Sequence, residues 1–95
     1  MIRLKNWFIE NRLYNDYQAP ELGDKVLVGQ VYGHSSHADG TFIRTSRIVR
    51  IEDMGDHKDI FTISGSQYSV FPEDVNPEAE KVFPGYYERL SIKEV

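Results

Sequence analysis

Lys25-Val-Leu-Val-Gly-Gln-Val-Tyr32, then Gly33-His-Ser-Ser-His-Ala-Asp-Gly40, then Thr41-Phe-Ile-Arg-Thr-Ser-Arg-Ile-Val-Arg-Ile51 set the fold class. Two further apolar runs, Asp59–Ser64 and Gln67–Phe71, complete the pattern. β-Branched and aromatic stretches alternate with clusters of Gly, Asp and Ser, which is the pattern of an antiparallel meander. In so short a chain the meander has to curl on itself to enclose a core. The expected fold is mainly β: a small antiparallel five-stranded barrel, Src-homology-like, with a short C-terminal helical segment.

In Lys25–Tyr32 both faces are largely apolar, so this strand is expected to be covered on both sides. Gly29 inside it marks a bulge or a sharp bend. In Thr41–Glu52, Ile43, Thr45, Val49 and Ile51 share one face with Arg47, and that face is expected to turn inward. A bulge near Ser46-Arg47 would relieve the conflict posed by the arginine. Gly65-Ser66 reads as a two-residue hairpin turn between the last two strands. Residues 2–12 read as a strand, since no helix cap or stop frames them.

Working outward, Asn15–Asp24 reads as a loop that Tyr14, Tyr17 and Leu22 pack across one barrel end. Pro72 ends the sheet. Asn76-Pro77-Glu78 supplies a cap, a proline at the first helical position and an acid in the first turn. Pro84-Gly85 interrupts that helix. Tyr86, Tyr87, Leu90 and Ile92 suit a second short turn. Residues 1–95 thus form one domain, with 72–95 as a helical tail packed on the barrel. Trp7, Phe42, Phe61, Tyr68 and Phe71 are expected to fill the core.

The net charge is −4, and the segment from Pro72 onward holds six acids against three bases. That balance disfavours general nucleic-acid binding, which rests on clustered Lys and Arg. The absence of cysteine excludes disulfide and thiolate chemistry and fits a cytoplasmic setting. No stretch approaches the ~20 apolar residues of a membrane span, so no membrane partner is expected. The opening residues do not read as a secretory signal.

Three places hold groups not obviously used in folding. The loop Gly33–Gly40 contains His34, His37 and Asp39, which are candidate metal ligands if they converge. The alternative is a solvated turn in which Asp39 accepts from backbone N–H groups and His34 fixes the loop through Tyr32 or Thr41. Arg44, Arg47 and Arg50, with Thr45 and Ser46 between them and Tyr32, Phe42 and Tyr68 as aromatic neighbours, could pair phosphates and stack bases. The alternative there is a sheet exterior whose arginines pair with Glu52, Asp53 and Asp59. Tyr14, Tyr17, Tyr86 and Tyr87 either form a protein-binding patch or seal the barrel ends. Ser64-Gly65-Ser66 is not a nucleophile elbow, and no paired carboxylates or phosphate cradle stand out. No cofactor is expected.

Several phrases, in order along nearly the whole chain, resemble a family of small uncharacterised proteins of phages, prophages and gut bacteria. They are Asn6-Trp7, Tyr17-Gln18-Ala19-Pro20-Glu21-Leu22, Gly29-Gln30-Val31-Tyr32-Gly33-His34, Asp39-Gly40, Thr45-Ser46-Arg47-Ile48, Ser64-Gly65-Ser66-Gln67-Tyr68, Asn76-Pro77-Glu78, Phe83-Pro84 and Glu88-Arg89-Leu90. The family pattern carries proline after Gly-His, where this chain has Ser35, and His37 is particular to this chain. The resemblance implies a mobile-element or bacterial intracellular setting and no catalytic residue.

The function expected from these observations is a non-enzymatic interaction module that binds a protein partner or itself. Its binding residues would come from Tyr32, His34, Asp39, Arg44, Thr45, Ser46, Arg47 and Arg50. The alternatives are a single-stranded nucleic-acid binder using Arg44, Arg47 and Arg50 and, more remotely, a metal-dependent hydrolase using His34, His37 and Asp39.

Overall fold

Five strands form: β1 (Arg3–Glu10), β2 (Val26–Tyr32), β3 (Thr41–Asp53), β4 (Lys58–Thr62) and β5 (Gln67–Val70). They are seen in a computed structural model that describes residues 1–10, 20 and 25–90. Each strand pairs antiparallel with the next, and β1 meets β5 to close the sheet into a ring. Strand direction alternates along a meander, so the first and fifth strands run the same way. The closing ladder is therefore parallel, and it is short: Arg3 opposite Ser69 and Leu4 opposite Val70. Leu4, Trp7, Ile9, Val26, Leu27, Val28, Val31, Ile60 and Val70 are buried, as is Tyr68. Among the described residues no helix is long and apolar enough to cross a membrane.

Two bulges in β3 correct the alternation read from sequence. Val26 faces Arg47 while Val28 faces Arg44, so β3 carries one extra residue at Thr45-Ser46. Ile48 faces Thr62 while Arg50 faces Phe61, so Val49 is a second extra residue. Each insertion flips the side chains beyond it. Thr45 and Ile48 are consequently buried, and Val49 lies outside. Phe42 is also outside, at 60% exposure, contrary to its expected place in the core; it lies on the outer face near Phe8. Phe61 and Phe71 are only half-buried, and each carries a cation on its face: Arg50 over Phe61 at 4.1 Å and Arg3 over Phe71 at 4.0 Å.

The first bulge explains Thr45. Its hydroxyl accepts from the Leu27 N–H at 3.0 Å and donates to the Ser46 carbonyl at 2.8 Å. It thus replaces the ladder bond that the bulge removes from Leu27. Thr45→Val keeps the shape and loses the acceptor. It should lower stability by about 1–3 kcal/mol, the cost of a buried N–H left unpaired, as read by urea denaturation.

Gly29 is not itself bulged. Lys5 faces Gln30 and Phe8 faces Val28, so the extra residue lies across the ladder in β1. Asn6 there takes φ +53°, and its amide donates to the Gln30 side chain at 2.7 Å. The backbone of β1 folds in over Gly29. A β-carbon at that position would sit 3.1 Å from both the Lys5 carbonyl oxygen and the Trp7 Cα.

The turn between β4 and β5 also differs from expectation. Thr62 pairs with Ser66, with the Thr62 N–H donating to the Ser66 carbonyl at 3.0 Å, so the connection is the three residues Ile63–Gly65. Gly65 takes φ +90°, which is the glycine position of a three-residue hairpin. A two-residue turn would have set a different register. The observed one places Asp59 opposite Ser69 and Phe61 opposite Gln67.

Because β5 covers only the first part of β1, the chain beyond it covers the rest. Val75 bridges Trp7, the Asn76 N–H donates to the Trp7 carbonyl at 2.9 Å, and the Trp7 indole donates to the Phe71 carbonyl at 3.0 Å. A 3-10 turn (Pro72–Asp74) leads to α1 (Pro77–Val82), whose first N–H groups are capped by the Asn76 side chain. The Glu80 carboxylate accepts from the Gly85 and Tyr86 N–H groups at the start of α2 (Tyr86–Arg89). The Tyr86 hydroxyl accepts from the Ile9 N–H at 2.8 Å and returns its own proton to the Ile9 carbonyl at 3.3 Å. The Lys58 ammonium donates to the Tyr87 carbonyl at 2.7 Å and to the Leu90 carbonyl at 3.3 Å, at the C-terminal end of α2 where positive charge is favoured. Burial pushes the Lys58 pKa down. The expected positions of Tyr14, Tyr17, Leu22 and Ile92 lie outside the described residues.

Candidate functional site

The structure disperses the residues singled out from sequence. In the loop after β2, the Asp39 carboxylate accepts from the Gly33 N–H at 3.0 Å, and His34 Nδ1 accepts from the Ser36 N–H at 2.9 Å. That bond puts the proton of the neutral His34 ring on Nε2. The His34 and His37 rings meet edge to face at 4.7 Å. Among the described residues no three His, Asp or Glu groups are arranged to hold a metal ion. Tyr32 lies under the Lys5 ammonium at 5.1 Å.

On β3 the arginines are engaged separately. Arg44 pairs with the buried Glu10 carboxylate at 2.5 Å. Arg50 pairs with Glu52 at 3.4 Å while it covers Phe61. Arg47 is half-buried opposite Val26. The Ser46 hydroxyl bonds Ser64 at 2.8 Å and so ties β3 to the β4–β5 turn. Two bulges separate these positions, so they do not form one flat stripe.

A different set converges. A cleft of about 520 Å³ opens where the starts of β1 and β5 diverge, lined by Ile2, His57, Asp59, Ser66, Gln67 and Ser69 among others. Asp59 is its hub and is buried. One of its oxygens accepts from the Ser69 hydroxyl at 2.8 Å and lies 3.3 Å from His57 Nε2. The other accepts from the Gln67 amide at 3.1 Å. His57 Nδ1 lies 2.6 Å from Asp56, and the ring stacks on Phe71 at 5.0 Å.

Both His57 nitrogens face carboxylate oxygens, Nδ1 that of Asp56 and Nε2 that of Asp59. The Ser69 hydroxyl donates its proton to the Asp59 carboxylate. Sequence reading missed this cluster because the turn length sets its register. With the three-residue connection, Asp59–Ser69 and His57 follow from strand pairing.

The Asp56 carboxyl is held below the ordinary aspartate range, chiefly by its hydrogen bond with His57. A depressed folded-state value means that the contact stabilises the fold above the unfolded pKa of about 4 and is lost as pH falls through the folded value. His57→Phe keeps a ring on Phe71 and removes the donor. It should return the Asp56 titration toward that of a free aspartate, as followed by carboxyl ¹³C NMR.

Comparison of the chain with protein-family models, curated proteins and solved structures gives no match.

Proposed function

We propose that the ring is a small barrel of Src-homology-like kind that acts in the cytoplasm as a non-enzymatic interaction module for a protein partner. The observation that carries this reading is the cleft between β1 and β5. It is a shaped concavity in which Asp59, Ser69, Gln67 and His57 already hold one another in place. The resemblance to small phage and prophage proteins directs the search for a partner to neighbouring genes.

The test places a photo-reactive phenylalanine analogue at Ser66 and, as a control, at His37. Crosslinking in cells that express the chain should give discrete protein adducts from the Ser66 position alone. A chain that gives no adduct from Ser66 and stays monomeric by light scattering at high concentration would overturn the reading.

A second reading, single-stranded nucleic-acid binding by Arg44, Arg47 and Arg50, is favoured by Phe42, which stands exposed two residues from Arg44 on β3. Against it, Arg44 is paired with Glu10 and Arg50 with Glu52. That reading requires oligonucleotide binding that weakens steeply with salt. A labelled oligonucleotide whose mobility does not change at low salt excludes it.

A further inference from the structure

The ring is incompletely closed at one point. At the end of the β4–β5 ladder the Thr62 N–H donates to the Ser66 carbonyl, and by the alternation of an antiparallel pair Tyr68 and Val70 also direct their backbone groups at β4. The residues between them, Gln67 and Ser69, direct theirs the other way, at β1. Ser69 finds β1 there, and its N–H donates to the Ile2 carbonyl at 2.7 Å. Gln67 does not. The β1–β5 pairing begins at Arg3 opposite Ser69; opposite Phe61, Gln67 turns its N–H and C=O away from β4, and among the described residues no bond from outside the ladders reaches them. A donor and an acceptor of β5 therefore point into the mouth of the cleft, with Ile2 on one side and Asp59 behind.

We propose that an extended segment of the protein partner adds to β5 at Gln67 and lays a side chain into the cleft. The inference rests on the interaction-module reading and names its mode of recognition. In strand addition, main-chain bonds give affinity and alternate side chains give specificity. The specificity here is for a side chain that donates. A carboxylate offers about four lone-pair sites. Asp59 meets Ser69, Gln67 and His57 with three of them. A threonine or lysine reaching the cleft finds an acceptor, whereas a glutamate meets a like charge.

The probe is an N-acetylated, C-amidated hexapeptide, Thr-Val-Lys-Val-Thr-Val, with Thr-Val-Glu-Val-Thr-Val as its counterpart. Both are titrated to millimolar concentration into the ¹⁵N-labelled chain. The lysine peptide should shift amide signals of residues 2–3 and 65–70 and slow hydrogen exchange at Gln67 at least about fivefold, with the glutamate peptide weaker. Gln67→Ala, which loses the side-chain amide on Asp59 but keeps the backbone N–H, is the control and should still bind the lysine peptide; Gln67→Pro removes in addition an N–H that no ladder uses, at the first position of a strand, where proline is tolerated. It should leave the other amide signals in place and abolish the lysine-peptide effect. Unchanged exchange at Gln67, shifts confined to another face, or equal binding by Gln67→Pro would each overturn the proposal. The Ser66 crosslinker separates the two levels. If the Gln67→Pro chain still gives the partner adduct, strand addition falls and the interaction module stands. If the unsubstituted chain gives none, both fall.

Discussion

Tyr86→Phe should destabilise the protein by about 1–3 kcal/mol, while the same change at the next residue, Tyr87→Phe, should leave stability equal or higher by about 1 kcal/mol. The two side chains are adjacent and both pack toward Trp7, at 5.7 Å and 6.4 Å between ring centroids. Their hydroxyls differ. That of Tyr86 is both donor and acceptor to the main chain of Ile9 on the part of β1 that β5 leaves uncovered. Without it, the Ile9 N–H has no acceptor in a buried place. The Tyr87 hydroxyl is buried and, among the described residues, has no hydrogen-bond partner. Burial also pushes its pKa up. Truncation of the fully buried Tyr86 to alanine adds the cavity and should cost about 3–5 kcal/mol, a large part of the roughly 5–15 kcal/mol that holds a domain together. Guanidinium denaturation of the three variants checks the order. A Tyr86→Phe variant as stable as the unsubstituted chain would show that the tail does not close the ring in this way.

Gly29→Ala should cost about 1–3 kcal/mol and Gly29→Val more, although residue 29 lies in a regular strand where valine is otherwise favoured. The added β-carbon would come within 3.1 Å of the Lys5 carbonyl oxygen and the Trp7 Cα and within 3.2 Å of Leu4 Cδ2. Two of these three atoms belong to backbone and move only if the β1 bulge moves. The control is Gly65→Ala. There φ is +90° but a β-carbon meets nothing within 4 Å. Its penalty is conformational, about 1–2 kcal/mol. The signature that separates the two cases is local. Gly29→Ala should disturb the NMR signals of Asn6 and Trp7, across the ladder, whereas Gly65→Ala should disturb only its own turn. Equal melting temperatures for Gly29→Val and the unsubstituted chain would remove close approach as the reason for glycine there.

Much of the framework was legible because it depends on local chemistry. β-Branched runs separated by Gly, Asp and Ser mark the strands. Asn76-Pro77 marks the start of a helix, and its cap bonds are present. The bulge in β3 was legible too, since Arg47 on an apolar face signals a break in alternation. Its consequence for Ile48 and Val49 was not, because a second bulge at Val49 leaves no mark in residue type. Phe42 shows the limit of propensity: an aromatic residue in a strand reads as core, yet its face is set by register, and register placed it outside.

The same limit governs the site. Residue types drew attention to the Gly33–Gly40 loop and to Arg44–Arg50, where histidines and arginines stand close in sequence. In three dimensions each of those loop and strand groups has a local structural contact, the Asp39 turn bond and the Arg44–Glu10 pair among them. The convergent set of His57, Asp59, Gln67 and Ser69 comes from two strands and a turn whose length was misread by one residue. Composition and pattern determined by themselves that this chain is mainly β, with five strands and a short helical tail, because hydrophobic alternation and turn chemistry act over a few residues. Only the tertiary structure decided which strand faces are buried, how the tail closes β1, and where the open cleft lies. Those features depend on pairing register, and a shift of one residue turns every later side chain to the opposite face.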